Sequence, residues 1–203
     1  QGCREFDLTA VDGEGKVLNN VVHLVTRFSD DPRQNIDMVK LLETTLTINP
    51  DCIAVAEMKG GESMQAINAA NTGHSVITTI HANSCEDTYY RMVTLCKQEL
   101  PGMDDVTLQN LATKAFPIVA FAKRLEDNSR RIMEITECET LQDGRKKMRT
   151  LYRFNITDNI IAEGKPKIIG HYEKVENLSE GLQKRLRENG LPLKMQEQLL
   201  AKQ

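Results

Sequence analysis

Two apolar runs, each stopping abruptly at an ionisable residue, organise this chain. Cys52-Ile53-Ala54-Val55-Ala56 ends at Glu57, and Val76-Ile77-Thr78-Thr79-Ile80 ends at His81. Continuous runs of this kind predict strands buried on both faces, as in a parallel sheet. Between them, 62–72 is helix-like and rich in Ala, and Gly73 supplies a C-terminal cap. Ahead of them, Met38, Leu41, Leu42 and Thr45 recur at helical spacing. Asn49-Pro50-Asp51 ends that helix, because proline disfavours helical geometry in the residue before it. Behind them, Ser84 with Asp87 resembles a capping box with Asp in place of Glu. Tyr89, Met92, Val93 and Cys96 form one helical stripe; Leu108, Leu111, Ala112 and Ala115 form another, closed by Pro117. Residues 118–123 make a third short apolar run.

The ends of the chain read differently. Two strands are expected over 4–10 and 17–26, joined by the turn cluster Asp12-Gly13-Glu14-Gly15-Lys16, with a polar loop over 29–36. After Lys123 the pattern changes. Asp127-Asn128-Ser129 and Asp143-Gly144 predict turns between antiparallel strands at 130–138 and 147–156. Residues 157–177 read as irregular. Leu182 and Leu186 mark a helix that Asn189-Gly190 can close, and a short last helix is predicted over 193–202. Strand, polar terminus and amphipathic helix in alternation argue for an α/β fold. We expect a core over 1–125 and an appendage of strands and helices over 126–203.

Composition narrows the function classes. The 203 residues are 40% hydrophobic and 27% charged, as in ordinary globular proteins. A net charge of -3 and an aromatic content of 4% argue against direct nucleic-acid binding. The five cysteines are odd in number, widely spaced and without a CxxC. That argues against a zinc site or a disulfide framework and fits a reducing cytoplasm. No apolar run approaches the ~20 residues of a membrane span. The polar opening Gln1-Gly2-Cys3-Arg4-Glu5, without Met, is no signal peptide and reads as that of a fragment.

Candidate chemistry gathers at the two strand ends. An acid at the tip of a buried parallel strand lies where α/β sheets bind ligands. A carboxylate there can orient or deprotonate a water, or hold a water of a Mg²⁺ shell. Gly60 and Gly61 let the following loop approach closely. Parallel neighbours would set Glu57 and His81 on one rim of the sheet, where an imidazole can donate a hydrogen bond to a phosphate oxygen. The competing reading is that Glu57 merely ends a strand at solvent and that His74 and His81 make structural hydrogen bonds. Metal binding by the two histidines is disfavoured, since their spacing matches no common ligand motif. Gly13-Glu14-Gly15-Lys16-Val17 is a false phosphate-binding loop. The pattern G-x-x-x-x-G-K-[ST] needs Gly where Ala10 stands and a hydroxyl where Val17 stands. No complete version occurs in the chain.

Residues 49–94 resemble the type II/type IV secretion (traffic) ATPases. That family has an atypical Walker B segment, roughly NPD-strand-GE-R-x-x-E, and a His box, roughly TGH-strand-T-x-HAN. The matching residues here are Asn49-Pro50-Asp51, Glu57, Glu62, Thr72-Gly73-His74, Thr79 and His81-Ala82-Asn83. Arg4-Glu5-Phe6-Asp7-Leu8 is similar to the tail of the family's acidic box, and Val25-Thr26-Arg27 to the arginine segment after it. Ala56 and Lys59 depart from the usual Gly and Arg; a Lys cannot reproduce a bidentate Arg contact. The Tad-pilus and conjugation branch is most similar.

The resemblance implies a partial RecA-like P-loop NTPase core, lacking the Walker A strand and loop, with a C-terminal antiparallel strand and helix appendage. It implies ATP and Mg²⁺ as cofactors of the complete protein, Glu57 and Glu5 as catalytic carboxylates, and His81, Thr79 and Arg27 as nucleotide-sensing residues. Gly60, Gly61, Glu62, Gly73, His74 and Asn83 fall in its loops and motifs. It further implies a homo-hexamer working with inner-membrane secretion or pilus platform proteins at the cytoplasmic face of the membrane. The 203 residues alone are expected to be catalytically inactive and poorly soluble as a monomer. The alternative is a non-hydrolysing paralogue that joins such a ring.

Overall fold

The structure, a computed structural model, describes residues 8–141 and 143–201. It divides into two compact units: 8–81 with 91–115, and 82–90 with 116–201. Both helices and strands are well represented, in a mixed α/β arrangement.

In the first unit, Ala10–Leu18 folds back on itself. Val11 and Val17 form an isolated antiparallel bridge, and Gly15 takes φ +81. The Asp12 carboxylate accepts from the Glu14 amide at 3.0 Å and the Lys16 amide at 2.9 Å. The false phosphate loop is thus a hairpin turn. Of the strand expected over 4–10, residues 4–7 lie outside the described residues; over 17–26 no strand is present among the described residues. Only the bridges Val11–Val17 and Arg27–Ile36 are present. Leu18, Val22 and Phe28 are more than 60% exposed.

Helix α1 (Met38–Thr47) starts at Asp37, whose carboxylate accepts from the Lys40 amide, and buries Leu42. It ends at Thr47, and the chain turns away at Asn49, which takes φ +48 ahead of Pro50. Strand β1 (Cys52–Val55), helix α2 (Glu62–Asn71) and strand β2 (Ser75–Thr78) follow. The two strands pair in parallel, with Cys52 opposite Ser75 and Val55 opposite Thr78. Burial on both faces does not hold. Ile53 and Val55 are buried, but Cys52 and Ala54 are exposed and Ile77 is 65% exposed. Helix α2 covers one side of the pair, so only alternate side chains are shielded. Helices α3 (Cys85–Glu99) and α4 (Asp105–Ala115) add Met92, Leu95, Cys96, Leu108 and Ala112 to this core.

Helix α2 closes as its sequence predicts. Gly73 takes φ +110. The Gly73 amide donates to Ala70 and the His74 amide to Ala69, the paired bonds of a Schellman cap.

The second unit is an antiparallel sheet in the order β3 (Ile118–Arg124), β4 (Arg130–Thr140), β5 (Lys146–Ala162), β6 (Lys165–Lys174). The third apolar run therefore belongs to an antiparallel sheet, not to the parallel pair. The turn at Asp127-Asn128-Ser129 is present, with Asn128 at φ +62. Residues 157–177 are strand except for the turn at 163–164 and the last three residues, not irregular as expected. Strand β5 continues through a bulge near Thr157 and turns at Glu163-Gly164, both at positive φ, into β6. That two-residue turn suits a tight hairpin. Helices α5 (Glu180–Glu188) and α6 (Leu193–Leu200) end the described chain. Gly190 at φ +82 closes α5. No described helix is long and apolar enough to cross a membrane.

Candidate functional site

The parallel register of β1 and β2 sets their C-terminal tips side by side. Past those tips, His81 Nε2 lies 3.2 Å from Glu57 Oε1. The Lys59 ammonium stands 4.0 Å from the other Glu57 oxygen. The His81 side chain is 95% exposed and that of Glu57 36%. The strand ends therefore present an acid and an imidazole, in contact with each other and open to solvent. A carboxylate paired with an imidazole at such a tip can orient a water and respond to a nearby anion.

The backbone beneath this pair is tied down. The Thr79 hydroxyl donates to the Ala56 carbonyl at 2.6 Å, and the Met58 amide donates to the Thr79 carbonyl at 2.8 Å. Met58 itself is 1% exposed and anchors the loop in the core. One turn later, the Glu62 carboxylate accepts from the Lys59 amide at 2.7 Å and the Gly60 amide at 2.8 Å. Glu62 is buried at the first position of α2, where a negative charge is favoured by the helix dipole. A Cβ on Gly60 would stand 2.9 Å from Glu62 Oε2, whereas one on Gly61 would meet Glu99 only at ordinary contact distance. Gly60 is thus the glycine whose lack of a side chain lets the carboxylate close over the loop.

The remaining sequence-predicted residues fall elsewhere. Gly73 and the His74 amide cap α2, and His74 Nδ1 is buried with no hydrogen-bond partner. Asn83 is exposed in the second unit. Arg27 is exposed, and its backbone pairs with Ile36 at 2.9 and 2.7 Å. Among the described residues it makes no hydrogen bond or ion pair with Glu57 or His81. Glu5 lies outside the described residues. Sequence reasoning named Thr79 and Glu62 but missed what they hold. The available signal for Glu62 was an acid in the first turn of a helix, directly after two glycines.

The fit to a nucleotide is partial. Glu57 and His81 suit the phosphate and water end of such a ligand. The Lys59 and Gly60 amides, which could otherwise cradle an anion, are already taken by Glu62. The glycine-rich 13–16 segment is committed to its own turn. Among the described residues no group of three or more His, Cys, Asp or Glu side chains is arranged to hold a metal ion.

Comparison with known proteins places this geometry in context. The family model described as type II/IV secretion system protein matches residues 14–202. The type IV pilus assembly ATPase PilB of Pseudomonas aeruginosa is 29% identical over 180 residues, covering 86% of this chain and 30% of the relative. The type IV secretion system protein VirB11 of Brucella suis is 35% identical over 86 residues, covering 41% of this chain and 24% of the relative. The conjugal transfer protein TrbB of Rhizobium radiobacter is 29% identical over 105 residues, 51% of this chain and 31% of the relative. A crystal structure of the VirB11 ATPase from the Brucella suis system, in complex with sulphate, aligns with a TM-score of 0.48. It is 29% identical and covers 50% of this chain and 32% of that one. The chain spans less than a third of the length of these curated relatives.

Proposed function

The chain belongs to the family of type II/IV secretion system proteins, and from that premise we propose that it carries the Glu57–His81 rim of an ATP-hydrolysing secretion, pilus or conjugation motor. The observation that carries the reading is the 3.2 Å contact between Glu57 and His81 at the tips of adjacent parallel strands. Two residues 24 positions apart, each ending its own strand, meet at the edge where α/β sheets bind ligands.

In this reading Glu57 orients the attacking water or a water of the Mg²⁺ shell. His81, exposed and 3.2 Å from Glu57, faces the terminal phosphate and changes partner when that phosphate leaves, which couples hydrolysis to movement. Bound Mg²⁺ would neutralise charge on the phosphates. Glu5 assists as a second carboxylate, and Arg27 completes a site, across a subunit boundary in a ring. The assembly we propose is a homo-hexamer with a RecA-like core, acting with platform proteins at the cytoplasmic face of the membrane. We assign residues 1–125 to that core and 126–203 to its appendage.

The phosphate loop that such chemistry needs does not occur in the 203 residues, so these residues alone do not turn over ATP. The test is Mg²⁺-dependent ATP hydrolysis by the protein expressed from its full reading frame. Glu57→Gln should lower kcat at least 100-fold, and the 203-residue chain should be inactive. Turnover by the 203-residue chain that Glu57→Gln abolishes would overturn the division of labour.

A further inference from the structure

The loop bearing Glu57 is short, rich in glycine and solvent-facing, the kind of segment that ordinarily samples many conformations. Here its backbone is pinned from two sides. Thr79 reaches across from the neighbouring strand. Its hydroxyl takes the Ala56 carbonyl and its own carbonyl takes the Met58 amide. Glu62 reaches back from the helix start and takes the Lys59 and Gly60 amides with one oxygen. The groups on both sides of Glu57 are thereby fixed, while the Glu57 carboxylate remains directed at His81.

We propose that Thr79 and Glu62 are positioning residues for Glu57: they hold the Ala56–Gly61 backbone so that the carboxylate meets His81, and neither touches the substrate. For Thr79 this replaces a sensing role, because its hydroxyl is already committed to Ala56. For Glu62 it follows from burial. The side chain is 7% exposed, and its charge is met by two loop amides and the start of α2. A consequence is that the substrate's phosphate approaches from the His81 side, since the amide pair at the start of α2 is filled by a carboxylate that repels anions. The assignment rests on the reading of Glu57 as the hydrolytic carboxylate, but the clamp itself can be tested without it.

The test has two arms. Amide hydrogen exchange is measured by mass spectrometry with residue-resolving fragmentation on the protein from its full reading frame as wild type, Glu62→Ala, Thr79→Val and Thr79→Ser. Glu62→Ala should speed exchange at Lys59 and Gly60 at least tenfold. Thr79→Val keeps the backbone carbonyl that holds the Met58 amide but frees the Ala56 carbonyl, so the loosened turn should speed exchange at Met58 severalfold, and Thr79→Ser, which keeps the hydroxyl, should restore protection. If Glu62→Ala does not fold, the Val and Ser pair at Thr79 decides alone. Unchanged exchange in the variants that fold overturns the clamp. In the second arm, steady-state ATP hydrolysis is measured on the protein from its full reading frame. Thr79→Val should lower kcat about tenfold or more with KM unchanged, and Thr79→Ser should recover it. A raised KM at unchanged kcat would mean that Thr79 contacts the nucleotide, and would overturn the positioning role. Wild-type protein without Mg²⁺-dependent turnover would defeat the ATPase reading and with it the catalytic part of the assignment. The exchange arm would still decide whether the clamp exists.

Discussion

Glu137 on β4 and Ser179 at the start of α5 are joined by two hydrogen bonds inside the second unit. The Glu137 carboxylate, 2% exposed, accepts from the Ser179 amide at 2.8 Å and from the Ser179 hydroxyl. The same hydroxyl accepts from the Leu182 amide at 3.1 Å, capping α5. One serine therefore begins a helix and satisfies a buried charge. Ser179→Ala removes the cap and one donor to the carboxylate, and should destabilise the chain by about 2–4 kcal/mol in a urea melt. Lys184→Ala, which breaks an exposed i,i+4 pair with Glu188, should stay within about 0.5 kcal/mol of wild type.

Gly170 makes room for Phe154 across the β5–β6 ladder. A Cβ there would stand 2.4 Å from the Asn155 carbonyl oxygen and 2.6 Å from the Phe154 ring. Neither a backbone oxygen nor a ring that is 4% exposed, with Arg131 over its face, can easily give way. Gly170→Ala should cost about 1–3 kcal/mol. Gly181→Ala, where the nearest atom is Ser179 Oγ at 3.8 Å, should be neutral or stabilising because Ala is the better helix former.

Tyr89 gives a pH signature. Its hydroxyl donates to the Phe116 carbonyl at 2.7 Å, and burial pushes its ionisation well above the ordinary phenol range, with further repulsion from the neighbouring Cys138, Cys85 and Glu137. Below about pH 10 both folded and unfolded chains keep the proton. Above it, the unfolded chain releases the proton and the folded chain does not, so stability falls as pH rises, by up to about 1.4 kcal/mol per unit for this group. Tyr89→Phe should be less stable at neutral pH and should flatten that alkaline slope. Equal slopes for the two proteins in urea melts between pH 9 and 11 would contradict the assignment.

The cysteines should sort by burial. Among the described ones, Cys52 is exposed while Cys85, Cys96 and Cys138 are buried. Burial pushes the Cys96 thiol up to about 11, so little of it is thiolate at neutral pH. With iodoacetamide followed by peptide mass spectrometry, Cys52 should be alkylated first among these four. Cys96 should react only as the chain unfolds.

Much of the rim was legible because parallel strands leave a simple trace. An apolar run that ends at a polar residue, twice, with a helix between, forces both termini to one edge. What the trace could not carry was closure of the second face. Cys52, Ala54 and Ile77 look like core residues in sequence, yet lie open on the uncovered side of the pair. The strand expected over 17–26 is not present among the described residues either. What Thr79 holds was invisible because a side chain bonding to backbone 23 residues away leaves no spacing rule, whereas the Glu62 contacts are local and left a trace, an acid in the first turn of a helix directly after two glycines. Strand β6 was missed because Glu163-Gly164 was not taken as a hairpin turn, although a Gly at its second position is the expected chemistry. The helix Glu180–Glu188 was legible from Leu182, Leu186 and the closing Asn189-Gly190.

The central claim is that Glu57 and His81 act as one unit at the strand tips. The direct measurement is a double-mutant cycle on kcat for ATP hydrolysis, using the protein from its full reading frame with Glu57→Gln, His81→Asn and both together. Each single change should lower kcat at least 30-fold, and the double should be no slower than the slower single within about threefold, as for residues that work together. Losses that multiply in the double variant, or a His81→Asn enzyme as fast as wild type, would contradict the account.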